Sequence, residues 1–410
     1  MSLLFFIARR HLGSRHSLSF ISLVSYLSIA GLAIGIAVLI LTLGILTGFE
    51  QEVQRKIISF DGHIRVKGFL GDPVAQFQPQ LDSILAQLPQ VTGRMPYIHH
   101  PATARVRGQT EAVFVEAFEE EKAQGVLGTW KNLISGEFTL GEEGGKSGIV
   151  LGRALAEKLN TRTGGRLILM DLTSLGKPGR APRIGQFEVR GIYETGLNEY
   201  DESIVYIDLS AGQRLFNYRD LITGEILSVS DRNETVSVAG YLDDNLKYPL
   251  MSSTWKERHY NLFAWLSLQK YPITVVFALV ALVALLNIMS SLTMIVMEKS
   301  KDIGVLRAVG FSRKKISQLF FFEGGIVGLL GVSLGVALAL LLGWIQVRFG
   351  LLSIPEEVYF MDNLPILFTI EHVLTVGLFG FMLLLQLASI RRGKLPVSNR
   401  LKPSVTNDET

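Results

Sequence analysis

The chain contains no cysteine among its 410 residues. Disulfide bonds, cysteine-ligated zinc and thiol catalysis are therefore excluded, whatever compartment the protein occupies. Charge is also scarce, because charged residues make up 19%, the formal net charge is +3 and the mean hydropathy is +0.32. A soluble globular protein needs more surface charge than this, and a nucleic-acid-binding protein needs a larger positive excess. These deficits favour a membrane protein.

The sequence also lacks catalytic motifs. Its seven histidines, His99 and His100 included, do not show the H-E-x-x-H spacing of a zinc site, and no G-x-S-x-G elbow occurs. The segment 141–147 resembles a phosphate-binding loop, but Leu140 stands where that loop requires its first glycine. We therefore interpret the segment as a turn. We expect a chain that is not an enzyme and binds no metal or cofactor of its own.

Long apolar runs are abundant instead. About 20 mostly apolar residues span the hydrocarbon core of a bilayer. Four segments meet this requirement, at 20–49, 266–297, 321–347 and 364–390. The first run is about twice as long as the apolar core of a signal peptide, so we interpret it as an uncleaved helix.

The distribution of Lys and Arg predicts the orientation of these runs. Basic residues cluster before the first run, between the second and third, and after the fourth, whereas the third and fourth are separated by Arg348 and three acidic residues. Because cytoplasmic flanks are enriched in Lys and Arg, both termini are predicted to be cytoplasmic. The predicted fold is an integral membrane α-helical protein with four transmembrane helices (1+3) and a large α/β extracytoplasmic domain inserted between helices 1 and 2.

The predicted domain order follows directly. It comprises a cytoplasmic amphipathic segment at 1–19, helix 1 at 20–49, the outer α/β domain at 50–265, helix 2 at 266–297, a cytoplasmic loop at 298–320, helix 3 at 321–347, a short outer loop at 348–363, helix 4 at 364–390 and a cytoplasmic tail at 391–410.

The outer segment has the patterns of a mixed α/β domain. Alternating apolar residues at 64–67 and 204–207 predict strands, and the apolar spacing at 81–88 and 153–159 predicts helices.

The stretch 172–184 within this segment is rich in Gly, Pro, Lys and Arg and lies between strand-like runs at 166–170 and 187–189. This composition predicts a protruding basic loop, and by itself such a loop is more often a plain solvent-exposed connection than a binding element.

The cytoplasmic loop at 298–320 has a helical pattern. Ile303, Leu306 and Val309 recur at helical spacing, Gly310 provides a stop, and Ser312 can cap a second short helix. This elbow could receive force from a soluble partner, or it could lie on anionic lipid. The residues alone do not decide between these interpretations.

Two stretches resemble a known family. The segment from Glu298 through Asp302, Ile303 and Leu306 to Gly310 is similar to the coupling region of the MacB/FtsX-like ABC transporter permeases. The first run opens Phe-Ile-Ser-Leu-Val-Ser-Tyr-Leu-Ser at 20–28 and ends Leu-Thr-Gly-Phe-Glu-Gln-Glu-Val at 46–53. Both ends resemble the LolC/LolE subunits of the lipoprotein-releasing complex, with Thr47 in place of their usual Asn. The long interval between the first two spans is also typical of that family.

The resemblance implies a function and a set of partners. The chain would be a multi-pass permease subunit in the bacterial inner membrane, where it extracts outer-membrane-directed lipoproteins and hands them to a periplasmic carrier. ATP and Mg would be used by a separate LolD-like ATPase dimer. The other implied partners are a second LolC/LolE-type permease, in a heterodimer or homodimer, a LolA-like carrier and acylated lipoproteins.

The resemblance also implies three sets of site residues. The contact with the ATPase comprises Glu298, Asp302, Leu306, Arg307 and Gly310. The hook for the carrier, which the 172–184 loop resembles only in its Gly-Arg-x-Pro core, comprises Lys177, Pro178, Gly179, Arg180 and Pro182. The lipoprotein contact comprises Leu43, Leu46, Phe49, Leu266, Pro272 and Phe277, and ordinary lipid contact or helix packing is the alternative for each.

Other functions fit parts of the pattern. A MacB-type efflux permease or an FtsX-type mechanotransmitter belongs to the same superfamily, although MacB carries its ATPase in the same chain. A membrane sensor would belong to a different class, and the sequence shows no output domain that favours it. Small-residue spacings such as Gly331-x-x-x-Gly335 permit close helix contact either within one subunit or between two.

Overall fold

The computed structural model describes residues 20–174, 182–298, 300–354 and 363–378. The chain divides into two compact units. The first comprises residues 1–49, 268–352 and 364–410, and the second comprises residues 50–267 and 353–363. We refer to them as the membrane unit and the outer unit.

Helices and strands are interspersed in the outer unit, and the last four elements of the described chain are helices. The helices are α1 (Phe20–Asp61), α2 (Pro79–Leu85), α3 (Glu120–Val126), α4 (Arg153–Lys158), α5 (Asn198–Ser203), α6 (Leu209–Phe216), α7 (Thr235–Asn245), α8 (Trp255–Arg258), α9 (Tyr260–Glu298), α10 (Ser300–Ala308) and α11 (Arg313–Phe349). The strands are β1 (Ile64–Gly68), β2 (Val74–Ala75), β3 (Val91–Val106), β4 (Gln109–Phe118), β5 (Leu133–Gly136), β6 (Glu142–Glu143), β7 (Lys146–Gly152), β8 (Arg166–Asp171), β9 (Ile184–Tyr193), β10 (Ile204–Asp208), β11 (Leu221–Ile222), β12 (Gly224–Val229) and β13 (Leu250–Thr254).

Three helices within the described residues are long and apolar enough to cross a membrane. They lie at Ile29–Asp61, Tyr260–Val280 and Gly325–Phe349, in α1, α9 and α11. Of the predicted fourth helix, residues 370–378 are helical and 379–390 lie outside the described residues. The predicted segments 1–19 and 391–410 lie outside them as well.

The membrane unit contains an apolar cluster shared by α1 and α11. Leu32, Ile36 and Ile40 on α1 are buried together with Ala339. A Cβ atom on Gly335 would lie 2.7 Å from the carbonyl oxygen of Ala33, and a Cβ on Gly331 would lie 2.6 Å from Leu32 Cδ2. The Gly331-x-x-x-Gly335 spacing therefore serves close packing within one subunit.

The outer unit is built on a mixed sheet. The strand order is β13-β1-β12-β3-β4-β10-β7-β9-β5, while β6 pairs with β7, and β8 pairs with both β3 and β9. The strands predicted at 64–67 and 204–207 are β1 and β10. Strand β1 pairs antiparallel with both β12 and β13, so the first and last long strands of the outer unit are neighbours.

Both faces of this sheet are covered. Val115 and Ile149 belong to a buried apolar cluster on one face, whereas Phe118 and Val150 on the same two strands belong to a cluster on the other face. On the first face, α2 and α7 also pack against β1 and β12. The sequence prediction of an α/β domain is confirmed by this arrangement of sheet and helices.

The predicted turn at 141–147 is a hairpin. Glu143 pairs with Lys146, and Gly144 and Gly145 between them both have positive φ, as a tight two-residue turn requires.

The prediction of a second short helix after Ser312 is wrong about the length of that helix. The Ser312 side chain does cap a helix, accepting a hydrogen bond from the Lys315 N–H, but this helix is α11 and has 37 residues. Ile316 is buried, and the apolar sequence continues without proline until Gly350, whose φ of +57° forms the C-terminal cap. Nothing between them ends the helix, so the second helix of the elbow is continuous with the third span.

Candidate functional site

The predicted contact with the ATPase lies on α9 and α10. Glu298 is the last residue of α9, Asp302, Leu306 and Arg307 lie in α10, and Gly310 follows it. Gly310 has a φ of +96°, and its N–H donates to the Arg307 carbonyl at 3.0 Å. This left-handed glycine ends the helix as the sequence predicted.

The exposed surface of α10 combines apolar and basic side chains. Val305 and Val309 are both largely exposed although they are apolar, and Arg307 between them is exposed too. Exposed apolar groups next to a charge are typical of a surface that docks a partner or a membrane.

The predicted lipoprotein contact is distributed over α1 and α9. Leu43, Leu46 and Phe49 are half-buried on α1, and Pro272 is exposed within α9. The remaining two residues, Leu266 and Phe277, also lie in α9, and Leu266 is 3% exposed. Their predicted role stays a prediction.

The predicted carrier hook lies largely outside the described residues, because Lys177, Pro178, Gly179 and Arg180 fall within 175–181. Pro182 is exposed. The strands predicted on either side of the loop are confirmed as β8 and β9, which pair antiparallel from Arg166 to Met170.

The root of this loop is fixed by a polar cluster. The Asp171 N–H donates to the Arg183 carbonyl at 3.0 Å, and Arg183 Nη1 donates to the Phe216 carbonyl at 2.9 Å. Asp171 Oδ1 accepts from Thr173 Oγ1 at 2.7 Å and lies 3.0 Å from His100 Nε2. Burial lowers the pKa of His100, although the Asp171 contact acts in the opposite direction.

A second polar cluster is buried in the outer unit, and we call it the junction cluster: Asp61, Arg65, Glu116, Arg258 and His259. Arg65 Nη2 lies 2.6 Å from Asp61 Oδ1, and its Nη1 lies 2.8 Å from Glu116 Oε1. Asp61 Oδ2 accepts from Arg258 Nε at 2.7 Å and lies 3.0 Å from His259 Nε2. Asp61 thus pairs with two guanidinium groups, those of Arg65 and Arg258, and Arg65 pairs in turn with Glu116.

Three charged side chains of this cluster are buried. Asp61, Arg65 and Glu116 are 5%, 6% and 2% exposed. Burial by itself raises the pKa of Glu116, but the charge of Arg65 and the His99 hydrogen bond outweigh it, so the pKa lies below its usual value. Burial likewise lowers the pKa of Arg65, and Asp61 and Glu116 raise it well above the ordinary value. Both groups therefore stay ionised at neutral pH.

A cleft of about 680 Å³ opens onto the junction cluster. Its walls include Leu70, Phe114 and Tyr200, all in the outer unit. Tyr200 donates or accepts a hydrogen bond with His259 Nε2 at 3.0 Å, depending on the tautomer. Sequence reasoning missed the cluster. Asp61 ends α1 while Arg65 lies on β1, and the other members come from distant parts of the chain, so no local spacing indicated it.

No group of three or more His, Asp or Glu residues that could hold a metal ion occurs in the described ranges. The polar side chains of the junction cluster bind one another instead. The arrangement is suited to holding segments of the outer unit together.

Comparison with known proteins identifies the class. Residues 25–244 match the family described as MacB-like periplasmic core domain, and residues 274–390 match the FtsX-like permease C-terminal family. The first match covers more than half of the chain. Together with the apolar helices, these matches define a membrane permease of the MacB/FtsX type with a periplasmic α/β domain.

Individual relatives are more specific. The chain is 30% identical to the lipoprotein-releasing system transmembrane protein LolC of Xylella fastidiosa (strain Temecula1) over 88% of both chains. It is 26% identical to LolC of Neisseria meningitidis serogroup B over 88% of both chains, and 28% identical to LolE of Haemophilus influenzae over 88% of this chain and 89% of that one. The chain belongs to the LolC/LolE family of lipoprotein-releasing system transmembrane proteins, as its sequence motifs predicted.

Proposed function

We propose that this chain is the permease subunit of an ATP-driven ABC complex that extracts outer-membrane-directed lipoproteins from the inner membrane and hands them to a periplasmic carrier. The observation that supports it is the 30% identity to a LolC protein, which extends over 88% of both chains and so includes both membrane and outer segments. The MacB-like and FtsX-like matches follow each other in the order that such a permease requires.

The energetics of the cargo explain the need for ATP. Each buried methylene stabilises an acyl chain in the bilayer by about 0.8 kcal/mol, so a triacyl anchor lies tens of kcal/mol below water. Transfer to a carrier therefore needs work and a sheltered path. The half-buried side chains of Leu43, Leu46 and Phe49, with Leu266, Pro272 and Phe277, are the proposed contacts of that path.

ATP hydrolysis is assigned to a separate LolD-like ATPase dimer, with its own ATP and Mg. The exposed strip of Val305, Arg307 and Val309 on and after α10 supports a docking role for this region. A second LolC/LolE-type permease, identical or different, would complete the membrane unit.

The proposed orientation has four membrane spans and both termini in the cytoplasm. Three spans are supported by α1, α9 and α11, and residues 370–378 are helical where the fourth span is proposed. The Lys and Arg residues around α10 support a cytoplasmic elbow.

Reconstitution tests the function. The wild-type chain, its ATPase and any second permease are placed in proteoliposomes with a triacylated lipoprotein, and transfer to soluble carrier is measured with and without ATP. We expect release only with both ATP and carrier. Hydrolysis without any transfer of lipoprotein would contradict the proposal and favour a mechanotransmitting role.

Deleting 177–183 in the same system tests the hook. We expect carrier binding to be lost while ATP hydrolysis continues, since the deletion leaves the α10 region intact. The control replaces Arg105 and Arg166 by Ala, which removes two exposed basic side chains elsewhere on the outer unit. Undiminished capture of the carrier by the deletion variant would refute this role.

A further inference from the structure

The junction cluster lies where the chain leaves one long helix and approaches the next. Asp61 is the last residue of α1, Arg258 is the last residue of α8, and α9 begins at Tyr260. The contacts between Asp61 and the Arg258–His259 pair therefore connect segments separated by almost the whole outer unit in sequence.

Arg258 also closes the end of α1. Its Nη2 donates to the carbonyl oxygens of Asp61 at 3.0 Å and Gly62 at 3.2 Å. Carbonyls in the last turn of a helix have no partner within the helix and must find one elsewhere. Gly62 has a φ of +73°, the left-handed geometry of a residue that follows a helix end. A side chain from the returning segment thus caps the departing helix.

The main chain reinforces the same connection. Strand β1, which follows α1, pairs with β13, which precedes α8, in a register that places Ile64 opposite Thr254. The Trp255 N–H donates to the His63 carbonyl at 3.0 Å. Arg65 then extends the network to Glu116 on β4, in the centre of the sheet.

Stability alone does not account for such a cluster. Replacing a buried ion pair by well-packed apolar residues is often neutral or stabilising, because desolvation offsets the Coulomb attraction. Ionic and hydrogen-bonded groups instead fix direction, since a guanidinium group donates along a rigid planar fork. The guanidinium groups of Arg65 and Arg258 on Asp61, with Glu116 paired to Arg65, therefore specify the angle and spacing of the segments that they join.

We infer that the junction cluster is a positioning device that holds the end of α1 and the start of α9 at a fixed spacing, so that displacement of these helices reaches the periplasmic sheet without being absorbed at their ends. This inference rests on the proposed function, because it concerns how work from ATP reaches the outer unit. Asp61, Arg65, Glu116, Arg258 and His259 are positioning residues in this proposal.

A distance measurement tests the fixed spacing directly. The cysteine-free chain accepts two spin labels, at Arg55→Cys near the end of α1 and at Tyr260→Cys at the start of α9, because these side chains are 72% and 70% exposed. Electron paramagnetic resonance then gives the distance between the labels in the assembled complex without nucleotide and with ATP trapped. We expect one unchanged narrow distribution. A shift between the two states would overturn the inference.

Variants test the consequence for coupling. Arg258→Met keeps an unbranched side chain but removes the fork, so we expect the ATP hydrolysed per lipoprotein released to rise by roughly fivefold or more, the lower end of typical coupling between sites. Arg258→Lys retains the charge, so its ratio of ATP hydrolysed to lipoprotein released should lie between those of Arg258→Met and wild type. The ratio is normalised to assembled complex, so loss of folded protein alone leaves it unchanged.

Arg153→Met is the matched control. Arg153 also pairs with two carboxylates, Glu157 and Glu194, but it is exposed on α4. We expect its ratio to equal that of wild type. If Arg258→Met does not assemble, Tyr200→Phe replaces it, since this variant removes only the hydroxyl contact with His259 and should raise the ratio by a smaller factor.

The two proposals fail in different ways. A wild-type complex that hydrolyses ATP and releases no lipoprotein contradicts the proposed function. A wild-type complex that releases lipoprotein, while the variants in the junction cluster do so at an unchanged ratio, contradicts only the positioning role.

Discussion

Glu116 neutralises the buried charge of Arg65 in the outer unit. It accepts hydrogen bonds from Arg65 through both carboxylate oxygens, at 2.8 and 3.2 Å, and His99 Nδ1 lies 3.2 Å from Oε1. A buried charge is tolerated only when it is paired and hydrogen-bonded. Removing the charge of Glu116 leaves Arg65 with Asp61 alone.

We expect Glu116→Gln to lower the free energy of unfolding by roughly 2 kcal/mol. The amide keeps one acceptor oxygen for Arg65 but loses the negative charge, and it replaces the second acceptor by an NH2 group. Thermal unfolding of the purified protein at neutral pH measures the effect. Glu157→Gln, on an exposed ion pair, is the control and should change stability by less than about 0.5 kcal/mol. Equal unfolding temperatures for the two variants would contradict the assignment.

The same variant has a predicted pH dependence. Arg65 and His99 hold the pKa of Glu116 below its ordinary value of 4.5 despite burial, so the folded state is stabilised above that pH. This contribution is lost as the pH falls through the folded pKa, because the unfolded chain binds the proton more tightly. The difference in unfolding temperature between wild type and Glu116→Gln should therefore narrow on acidification. A difference that stays constant until both proteins unfold would refute the role of the charge.

Residue patterns predicted where apolar side chains lie but not where buried charges pair. The alternation at 64–67 correctly predicted a strand, and the same alternation suggests that Arg65 faces solvent. In the structure, Arg65 is buried and pairs with Glu116, which lies on a strand far away in sequence. Such partners are fixed by the tertiary fold, which no local pattern contains.

Helix packing in the membrane unit depends on glycine. A side chain on Gly335 would overlap with Ala33 and Ile36 of α1. We expect Gly335→Leu to separate α1 from α11 and to reduce the yield of folded protein, measured as the monodisperse fraction in detergent by size-exclusion chromatography. Gly240→Leu on α7, where nothing lies within 4 Å of an added Cβ, should retain the wild-type yield. Similar losses for both would show that space at Gly335 is not the cause.

The α10 element is predicted to hold the ATPase. We expect Leu306→Ala combined with Arg307→Ala to prevent co-purification of the ATPase, while the protein still inserts in the membrane. The control, Arg348→Ala combined with Leu351→Ala, changes one basic and one apolar residue, both exposed, at the other end of α11. Undiminished co-purification of the ATPase with the Leu306→Ala, Arg307→Ala variant would exclude α10 as the docking element.

Hydropathy located the membrane helices but not their ends. The first apolar run was bounded at Phe49, whereas α1 continues to Asp61. Polar residues after Phe49 lower hydropathy without breaking a helix, and the first glycine that adopts a left-handed conformation is Gly62. Hydropathy reports the surroundings of a helix, whereas its end is set by backbone geometry and capping.

The orientation of the whole molecule can be tested because the chain has no cysteine. We expect Val236→Cys in the outer unit, a site that is 68% exposed, to react with a membrane-impermeant maleimide in cells with a permeabilised outer membrane. Val309→Cys, at a site that is 74% exposed, should react only after the inner membrane is disrupted. Labelling of Val309→Cys in intact spheroplasts would place this residue outside the cytoplasm and contradict the proposed topology.

At the scale of the whole molecule, the sequence predicted the class of protein and the division into membrane and outer segments. It did not predict the order of the strands in the sheet. Apolar runs and basic flanks are local signals, so 20–49 and 266–297 could be recognised without a structure. The order β13-β1-β12-β3 depends on pairing between strands from opposite ends of the outer unit. The carrier hook remains a prediction from resemblance.

The neighbouring positions of β1 and β13 have a consequence for biogenesis. β1 ends at Gly68, but its two partners begin only at Gly224 and Leu250. A nascent chain therefore exports its first strand long before either partner has been translated, and until then both edges of that strand are open to pairing with other chains. A product truncated before Gly224 would never acquire those partners, so we expect proteases of the envelope to remove it.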